Sequence, residues 1–299
     1  MWREENKMYN EKKMYYIKAI TPIHAGSGQG LETVDMPIQR ERHTNIPKIE
    51  SSSLKGSIKS WIKRSNDINH LEEAKNIYEI LGKDENADSA SRAAFTEARL
   101  LYFPIKSNQG VFKLVTCPYI LNRWFEDISI KVNSSEAKNN AAKKVFNIKD
   151  TLIHDDKYID FSNNTDKIFL EEYIFDKQDF DISEYVDILP LAQDYQDRIV
   201  IIKNDVFIDL VTMYTEIITR NRIGESGTAE ETGLFTEEFL PPETIMYFNV
   251  FGSPSFVKKK NNDKNVIKFI DKYLKNDIFQ IGGDATIGKG FVKVVGTEV

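Results

Sequence analysis

The segment from residue 24 to residue 56 brings together the side chains most able to do chemistry on a phosphate. A glycine-rich turn follows His24, then comes a single acid, Asp35, and then a basic cluster formed by Arg40, Arg42 and His43. Glycine-rich backbone offers amide groups to phosphate oxygens, and arginine offers a planar fork of donors that matches them. This pattern predicts a surface that holds a nucleic-acid backbone with a carboxylate beside it.

A serine-rich helix start continues the same segment. Apolar residues recur at helical spacing and predict a helix over Ser53–Arg64, with Ser51–Ser53 as its N-cap. Free amide groups at a helix N-terminus favour phosphate, so Ser53, Lys55 and Gly56 are candidate phosphate contacts. The alternative is an ordinary capped helix with a solvated basic face.

The charge distribution is more informative than the net charge of −6. Residues 40–64 contain seven Lys or Arg and two acids, which leaves a strongly acidic remainder. A generic basic nucleic-acid binder is therefore disfavoured, whereas a local positive groove on an acidic body is compatible with specific backbone binding.

Cysteine and hydropathy usage exclude several classes of protein. The chain has a single cysteine, Cys117, which excludes a disulfide framework and a cysteine-based zinc site. This cysteine usage predicts that the protein resides in the reducing cytoplasm. No apolar run approaches the roughly 18 residues of a membrane span, and the polar N-terminus predicts no signal peptide. His154 followed by two aspartates resembles a metal pair, but a solvated loop is the stronger interpretation.

Local patterns predict an α+β fold with an antiparallel sheet. Predicted helices cover Leu71–Leu81, Asp205–Met213 and Asn265–Leu274. Predicted strands cover Met14–Pro22, Ala98–Ile105, Val111–Val115, Lys167–Phe175, Arg198–Ile202 and Phe291–Val295. Residues Ser134–Phe146 are predicted to form either a weak helix or an inserted loop.

Two further segments lack regular periodicity. Tyr214–Ile223 and Thr244–Phe251 are rich in strand formers and bracket residues 224–242, which predicts a long projecting hairpin. Gly282–Gly290 is a second glycine-rich loop, whose glycines, Gly282 and Gly283 among them, would let the backbone approach a ligand closely. A plain tight turn is the alternative for this loop.

Two long motifs carry a resemblance to a known family. Residues 34–56 (VDMPIQRERHTNIPKIESSSLKG) and residues 280–294 (QIGGDATIGKGFVKV) resemble the RAMP-superfamily backbone subunit of the type III-B (Cmr) CRISPR effector, the fourth-named Cmr protein. The resemblance extends along most of the chain from Met14, including CPYILNRW, NDVFIDLV and TGLFTEEFLP. The first dozen residues and a Lys/Asn-rich insertion near 131–150 lie outside it.

The resemblance implies a fold and an assembly. It implies a modified RRM-like (ferredoxin-like) palm with an antiparallel sheet, inserted helical elements and a β-hairpin thumb at about 214–251. Residues 14–299 would form one domain after a flexible extension over 1–13. Several copies would stack along a CRISPR RNA (crRNA) as a helical filament, together with other Cmr subunits.

The resemblance also implies an activity, which is cleavage of single-stranded target RNA beside each nucleotide that the thumb displaces. Asp35 would be the catalytic acid, either as a base at the 2′-hydroxyl or as a ligand to Mg²⁺ (or another divalent cation) held jointly with RNA. His24 would donate a proton or orient a phosphate, although a hydrogen-bonded loop histidine is equally compatible. Glu237 or Glu238 would assist, unless the hairpin is simply acidic and solvated. The implied RNA contacts are Arg40, Arg42, His43, Ser53, Lys55, Gly56, Arg220, Arg222, Ile223, Gly282, Gly283 and Lys289.

Three other functions remain open from the sequence. A non-catalytic filament subunit would only grip crRNA and display the target. A guide-processing nuclease of the same superfamily would rely on other residues, often a histidine. A cytosolic enzyme for a phosphorylated metabolite would leave the basic segment beside Asp35 unexplained.

Overall fold

A computed structural model provides the structure of the protein. It describes residues 8–28, 34–65, 71–83, 90–130, 149, 153–161, 166–180, 182, 185–221, 233–255, 265–275 and 278–298. The predictions for residues 134–146, Arg222 and Ile223 lie outside the described residues. Among the residues that the structure describes, every helix is too short or too polar to span a lipid bilayer.

Strands dominate the chain, and helices interrupt them at intervals. In chain order the elements are β1 (Glu11–Ala19), β2 (Lys48–Ile49), α1 (Ser51–Ser65), α2 (Leu71–Leu81), β3 (Ala93–Phe95), β4 (Ala98–Lys106), β5 (Phe112–Thr116), α3 (Pro118–Ser129), β6 (Lys157–Asp160), β7 (Lys167–Leu170), β8 (Tyr173–Lys177), α4 (Ala192–Tyr195), β9 (Ile199–Ile201), α5 (Asn204–Met213), β10 (Glu216–Arg220), β11 (Phe235–Phe239), β12 (Ile245–Gly252), α6 (Val266–Leu274), β13 (Ile278–Gln280) and β14 (Phe291–Glu298). β1 starts within the expected extension over residues 1–13, since residues 11–13 pair with β12.

The centre of the large sheet has ferredoxin-like topology. Its strand order is β13-β14-β1-β12-β4-β5-β9-β6-β8-β7, with β2 attached to β4 and β3 attached to β12. The inner strands β14, β1, β12 and β4 pair antiparallel, and they follow the chain order β1-α1-β4-β12-α6-β14. This is the βαββαβ arrangement, which confirms the α+β palm with an antiparallel sheet.

Both faces of the central sheet are covered. Consecutive residues of β1 from Met14 to Ile17 are all buried, as expected for a strand with protein on either side. On one face, Trp124 of α3 donates from Nε1 to the Tyr16 hydroxyl over 2.8 Å. On the other face, the Tyr15 hydroxyl donates to Asp271 of α6 over 2.8 Å. The core therefore lies between these helices and the sheet.

Most predicted helices are confirmed, with small differences at their ends. α1 begins at Ser51, so the three serines form its first turn instead of preceding it. The predicted single strand over 167–175 is wrong: it is the β7–β8 hairpin, which turns at Glu171 with a left-handed φ of 51°. α3 was not predicted, although Pro118 at its first turn and its spaced apolar residues were usable signals.

The projecting hairpin has a different return strand from the one predicted. β10 pairs antiparallel with β11, with Ile218 opposite Glu237, and the two form a small separate sheet. Thr244–Phe251, predicted to return from the hairpin, falls largely in β12 between β1 and β4. Nearly every residue of β12 is buried, which requires protein on both faces and excludes an exposed hairpin.

Candidate active site

Asp35 lies on a segment that runs alongside β11. The Met36 amide donates to the Thr236 carbonyl over 3.0 Å, and the Glu238 amide donates to the Met36 carbonyl over 3.0 Å. This pairing places Asp35 beside Thr236, whose amide and hydroxyl donate to Asp35 Oδ2 over 2.7 and 2.9 Å. Asp35 is exposed, and its Oδ1 makes no hydrogen bond to any residue that the structure describes.

The hydrogen bonds from Thr236 hold the pKa of Asp35 below its ordinary value. The backbone amide contributes most, and it lowers the pKa because its hydrogen bond to the ionised carboxylate is stronger than its bond to the neutral acid. The charge is therefore present at every pH above the ordinary carboxyl range, and it is lost only as the pH falls through the lowered pKa. At neutral pH the site presents an exposed carboxylate.

Glu238 joins the Asp35 segment to the base of the hairpin. Its buried carboxylate accepts from the Ile38 amide over 2.9 Å, from Thr215 over 2.7 Å and from Arg40 over 2.5 Å. The Arg40 guanidinium also donates to the carbonyls of Asn45 and Val211. Arg40 thus faces the protein, and the predicted contact with RNA would require it to leave these partners.

The exposed charges of the basic cluster are those that follow Arg40. Glu41 is buried and accepts from Arg123 over 2.5 Å and from Thr44 over 2.6 Å. With Glu41 turned inward, Arg42 and His43 stand exposed on the adjacent turn. Their position is compatible with the predicted phosphate contacts, which remain predictions.

The start of α1 has a different arrangement from the predicted phosphate site. The Lys55 ammonium donates to Ser91 Oγ over 2.8 Å and to the Ala93 carbonyl over 2.9 Å, and it packs over the Phe95 ring. Burial lowers the pKa of Lys55. Its charge is therefore directed into the protein, which leaves Ser53 and Gly56 as the candidates at this helix start.

The variant Gly56→Ala tests whether Gly56 only forms part of helix α1 or also lies against bound RNA. Among the described residues, nothing lies within 4 Å of a Cβ added at Gly56, which is exposed on α1. Alanine is expected to raise stability by about 0.8–1 kcal/mol through helix propensity. If RNA backbone passes close to Gly56, the same variant binds guide RNA more weakly. Thermal unfolding and guide-RNA affinity are measured together, with Ser60→Ala on the same helix as the control. Raised stability at unchanged affinity would remove Gly56 from the interface.

His24 is held by groups that define its tautomer. Its Nδ1 lies 2.7 Å from the main-chain oxygen of Glu238, and because a carbonyl only accepts, Nδ1 carries the hydrogen. Its Nε2 lies 3.5 Å from Glu237 Oε1, and the ring packs at a tilt against Phe239. The side chain is only 12% exposed.

Glu237, the predicted assisting acid, is buried in an ion pair. Its Oε2 accepts from Arg220 over 2.6 Å, and the same guanidinium nitrogen donates to Asp284 over 2.9 Å. Arg220 also packs over the Phe235 ring. Arg220, predicted to meet RNA, is therefore bound to two carboxylates of its own chain.

The structure does not bring the three predicted catalytic side chains to one point. Asp35 contacts Thr236, whereas His24 contacts Glu237, the next residue of β11. Successive side chains of a strand point to opposite faces, so Asp35 lies on one face of β11 and the His24–Glu237 pair lies on the other. Sequence reasoning missed Thr236 and Asp284, although both lie within motifs that carry the family resemblance. Their partners, Asp35 and Arg220, are distant in the chain, so local sequence does not show these contacts.

The second glycine loop packs tightly against His24. A Cβ at Gly282 would lie 2.2 Å from the main-chain oxygen of His24, and the Gly283 amide donates to that oxygen over 2.9 Å. The absence of a side chain at Gly282 thus accommodates the protein's own backbone, while the outer surface of both glycines is exposed. Lys289 lies with its ammonium 4.8 Å from the centre of the Phe239 ring.

A metal site built from protein ligands alone is absent from the described residues. No three His, Cys, Asp or Glu side chains among them are grouped to hold a metal ion. Asp155, next to His154, pairs with Lys203 instead. Oδ1 of Asp35, to which no described residue donates, fits a single ligand to Mg²⁺, whose other ligands would come from phosphate oxygens and water.

The fold and the glycine loop together define a class of protein. The sequence model of the RAMP superfamily matches residues 16–293. The chain therefore belongs to the RAMP superfamily, as the two motifs implied.

Individual relatives narrow this class. The chain is 37% identical over 295 residues to a Pyrococcus furiosus protein named CRISPR system Cmr endoribonuclease Cmr4, covering 95% of each chain. The crystal structure of oligomeric Cmr4 from Pyrococcus furiosus matches with a TM-score of 0.71 at 31% identity, covering 98% of this chain and 99% of that chain. A chain of the type III-B Cmr-beta complex bound to cognate target RNA shares the fold, with a TM-score of 0.74 at 24% identity over 96% and 98% of the two chains. Within the superfamily, the chain is a member of the Cmr4 family.

Proposed function

We propose that the chain is the backbone subunit of a type III-B CRISPR effector, which binds crRNA in a filament of its own copies and cleaves complementary target RNA at regular intervals. The observation that carries this proposal is the exposed, ionised carboxylate of Asp35, presented by β11 within a Cmr4 fold. The relative named an endoribonuclease is matched over nearly its whole length, which supports an enzymatic role.

The chemistry uses the nucleophile that RNA itself carries. The 2′-hydroxyl attacks the adjacent phosphorus, the bond to the 5′-oxygen breaks, and the products are a 2′,3′-cyclic phosphate and a 5′-hydroxyl. A nucleotide displaced from the A-form stack can align the 2′-hydroxyl with the leaving oxygen. The protein's task is then to hold the displaced nucleotide and to compensate for charge that develops at the phosphate.

Asp35 is better suited to orient groups than to accept the 2′-hydroxyl proton. A general base is most effective with a pKa near the working pH. The hydrogen bonds from Thr236 lower the pKa of Asp35, which moves it further from neutral pH. A lowered pKa keeps the carboxylate charged, as a ligand to a divalent cation must be. A bound Mg²⁺ would supply charge neutralisation at the phosphate, with Asp35 as its protein ligand.

Binding is proposed to depend on the exposed basic turn and on assembly. Arg42 and His43 would contact RNA backbone, and the guide would supply sequence specificity by base pairing. The partners would be crRNA, target RNA, further copies of the chain and other Cmr subunits. The cytoplasm is the proposed compartment, where the buried thiol of Cys117 stays reduced.

The experiment that tests the proposal is target cleavage by the reconstituted, guide-bound complex. Cuts at a regular spacing in complementary RNA, lost on chelation of divalent cations and bearing cyclic phosphate ends, are expected. RNA without complementarity is the control and should stay intact. Guide and target both bound, with no cuts, would favour the non-catalytic filament subunit instead.

A further inference from the structure

Three charged side chains and a histidine, from separate segments, form one continuous chain of contacts. Asp284 in the glycine loop and Glu237 of β11 share Arg220 of β10, and Glu237 in turn faces His24, which follows β1. One guanidinium nitrogen of Arg220 bridges the two carboxylates, since it has a hydrogen for each. We call these four residues, His24, Glu237, Arg220 and Asp284, the clamp.

Glu237 is the most deeply buried acid of the clamp, so its carboxylate needs a cationic partner. The Glu237 side chain is only 4% exposed, and those of Arg220 and Asp284 are 30% and 20% exposed. Both carboxylates raise the pKa of Arg220, so the guanidinium stays charged at any working pH. A buried carboxylate that loses its cation is strongly destabilised and moves or takes up a proton. The orientation of Glu237 therefore depends on Arg220.

The clamp is connected to Asp35 through a single peptide unit. Glu237 follows Thr236, whose amide and hydroxyl bind the Asp35 carboxylate. The Glu238 carbonyl holds the His24 ring, and the Glu238 amide bonds to Met36. A shift of Glu237 would move both neighbours, and with them the groups that position Asp35.

We propose that Arg220 and Asp284 are positioning residues for target-RNA cleavage, which fix β11 through Glu237 so that Thr236 holds Asp35 in place. The inference rests on the proposed function. It gives Arg220 a role distinct from RNA contact, and it gives Asp284 a role within the glycine loop. Neither side chain touches the reacting atoms in this scheme.

A contact between Arg220 and RNA predicts the opposite result for Asp284. If Arg220 gripped a phosphate, neutralising Asp284 would release the guanidinium and remove a repelling charge, so RNA would bind more tightly. Arg220→Gln would then weaken binding and reduce its salt dependence by about one unit of slope. If the clamp positions β11, both variants leave affinity and salt dependence unchanged and slow the chemical step.

The test measures single-turnover cleavage by guide-bound complexes that contain Asp284→Asn, Arg220→Gln or both. Each single variant is expected to cut roughly 10- to 100-fold more slowly at saturating target, as a small misplacement of a catalytic group would cause. The double variant is expected to be no slower than Arg220→Gln, because the two residues act as one unit. Asp271→Asn is the matched control, since Asp271 of α6 pairs with Lys13 of β1 at an exposure similar to that of Asp284. It should cut at the wild-type rate.

A second readout does not depend on cleavage. Hydrogen exchange of the free subunit is expected to accelerate at residues 34–38 and 235–239 in Asp284→Asn, and to stay unchanged there in Asp271→Asn. Unchanged exchange, or tighter RNA binding by Asp284→Asn, overturns the clamp. If the wild-type complex and Asp284→Asn cut equally fast, the proposal for the clamp fails while the proposed function stands. If the wild-type complex binds both RNAs and never cuts, the proposed function itself fails.

Discussion

Replacing Asp35 by asparagine is expected to lower target-RNA cleavage by roughly 100- to 1,000-fold, the usual cost of removing a group that stabilises charge at a reacting centre. Asparagine keeps the shape of the side chain and one oxygen that can accept from Thr236. It loses the negative charge that Thr236 holds in the ionised state. Affinity for guide RNA and target RNA should remain nearly unchanged, because a carboxylate repels a phosphate and Asp35 would reach RNA only through a bound cation.

The measurement is single-turnover cleavage at saturating target, with guide affinity and complex assembly measured on the same samples. Asp205→Asn is the control, because Asp205 is also an exposed carboxylate that accepts from a backbone amide, at the start of α5. It should cut normally. Loss of assembly in Asp35→Asn would make Asp35 a structural residue, and full activity would remove it from the cleavage site.

Replacing Gly282 by alanine is expected to cost roughly 2–5 kcal/mol of folding stability, from left-handed backbone strain and from overpacking together. Gly282 has a φ of +81°, and the added Cβ would lie 2.2 Å from the main-chain oxygen of His24. Backbone cannot move aside as a flexible side chain can, so the loop must shift away from His24. The hydrogen bond from the Gly283 amide to the same oxygen would be strained as well.

Gly288→Ala separates the two contributions. Gly288 lies in the same loop with a φ of +80°, yet its added Cβ would meet no described atom within 4 Å. It should therefore show only the backbone strain, roughly 1–2 kcal/mol. Thermal unfolding of the two variants is compared, and an unfolding entropy of about 2.1 cal/mol/K per residue gives a shift in Tm of roughly 1.5–2 °C per kcal/mol for a chain of 299 residues. Equal shifts would show that the approach of His24 to Gly282 is unimportant for stability.

Helices were predictable to the extent that their apolar residues repeat. α2, α5 and α6 match their predicted ranges within one or two residues, because a buried helix face imposes its period on the sequence. The return strand of the hairpin was not predictable in this way. β11 and β12 are both rich in strand formers, and only the pairing of β12 with β1 and β4 shows which one enters the palm.

The candidate site was predictable as a set of residues but not as an arrangement. The motif around Asp35 and the pair Glu237–Glu238 were recognisable, and the structure joins them through hydrogen bonds between residues about 200 positions apart in the chain. Side chains alternate between the two faces of β11, so Glu238 pairs with Arg40 on one face and Glu237 pairs with Arg220 on the other. That alternation is meaningful only once β11 is known to be a strand with its neighbours in place.

The sequence by itself determined the family, the positions of the strongly periodic helices and the residue types available for chemistry, because these are properties of local spacing and motif. Only the tertiary structure decided which charges face solvent. Arg40 and Lys55 are turned inward onto protein partners, while Arg42 and Asp35 are exposed. The physical reason is that a charge is buried or displayed according to the partners that folding brings to it, and those partners come from distant parts of the chain.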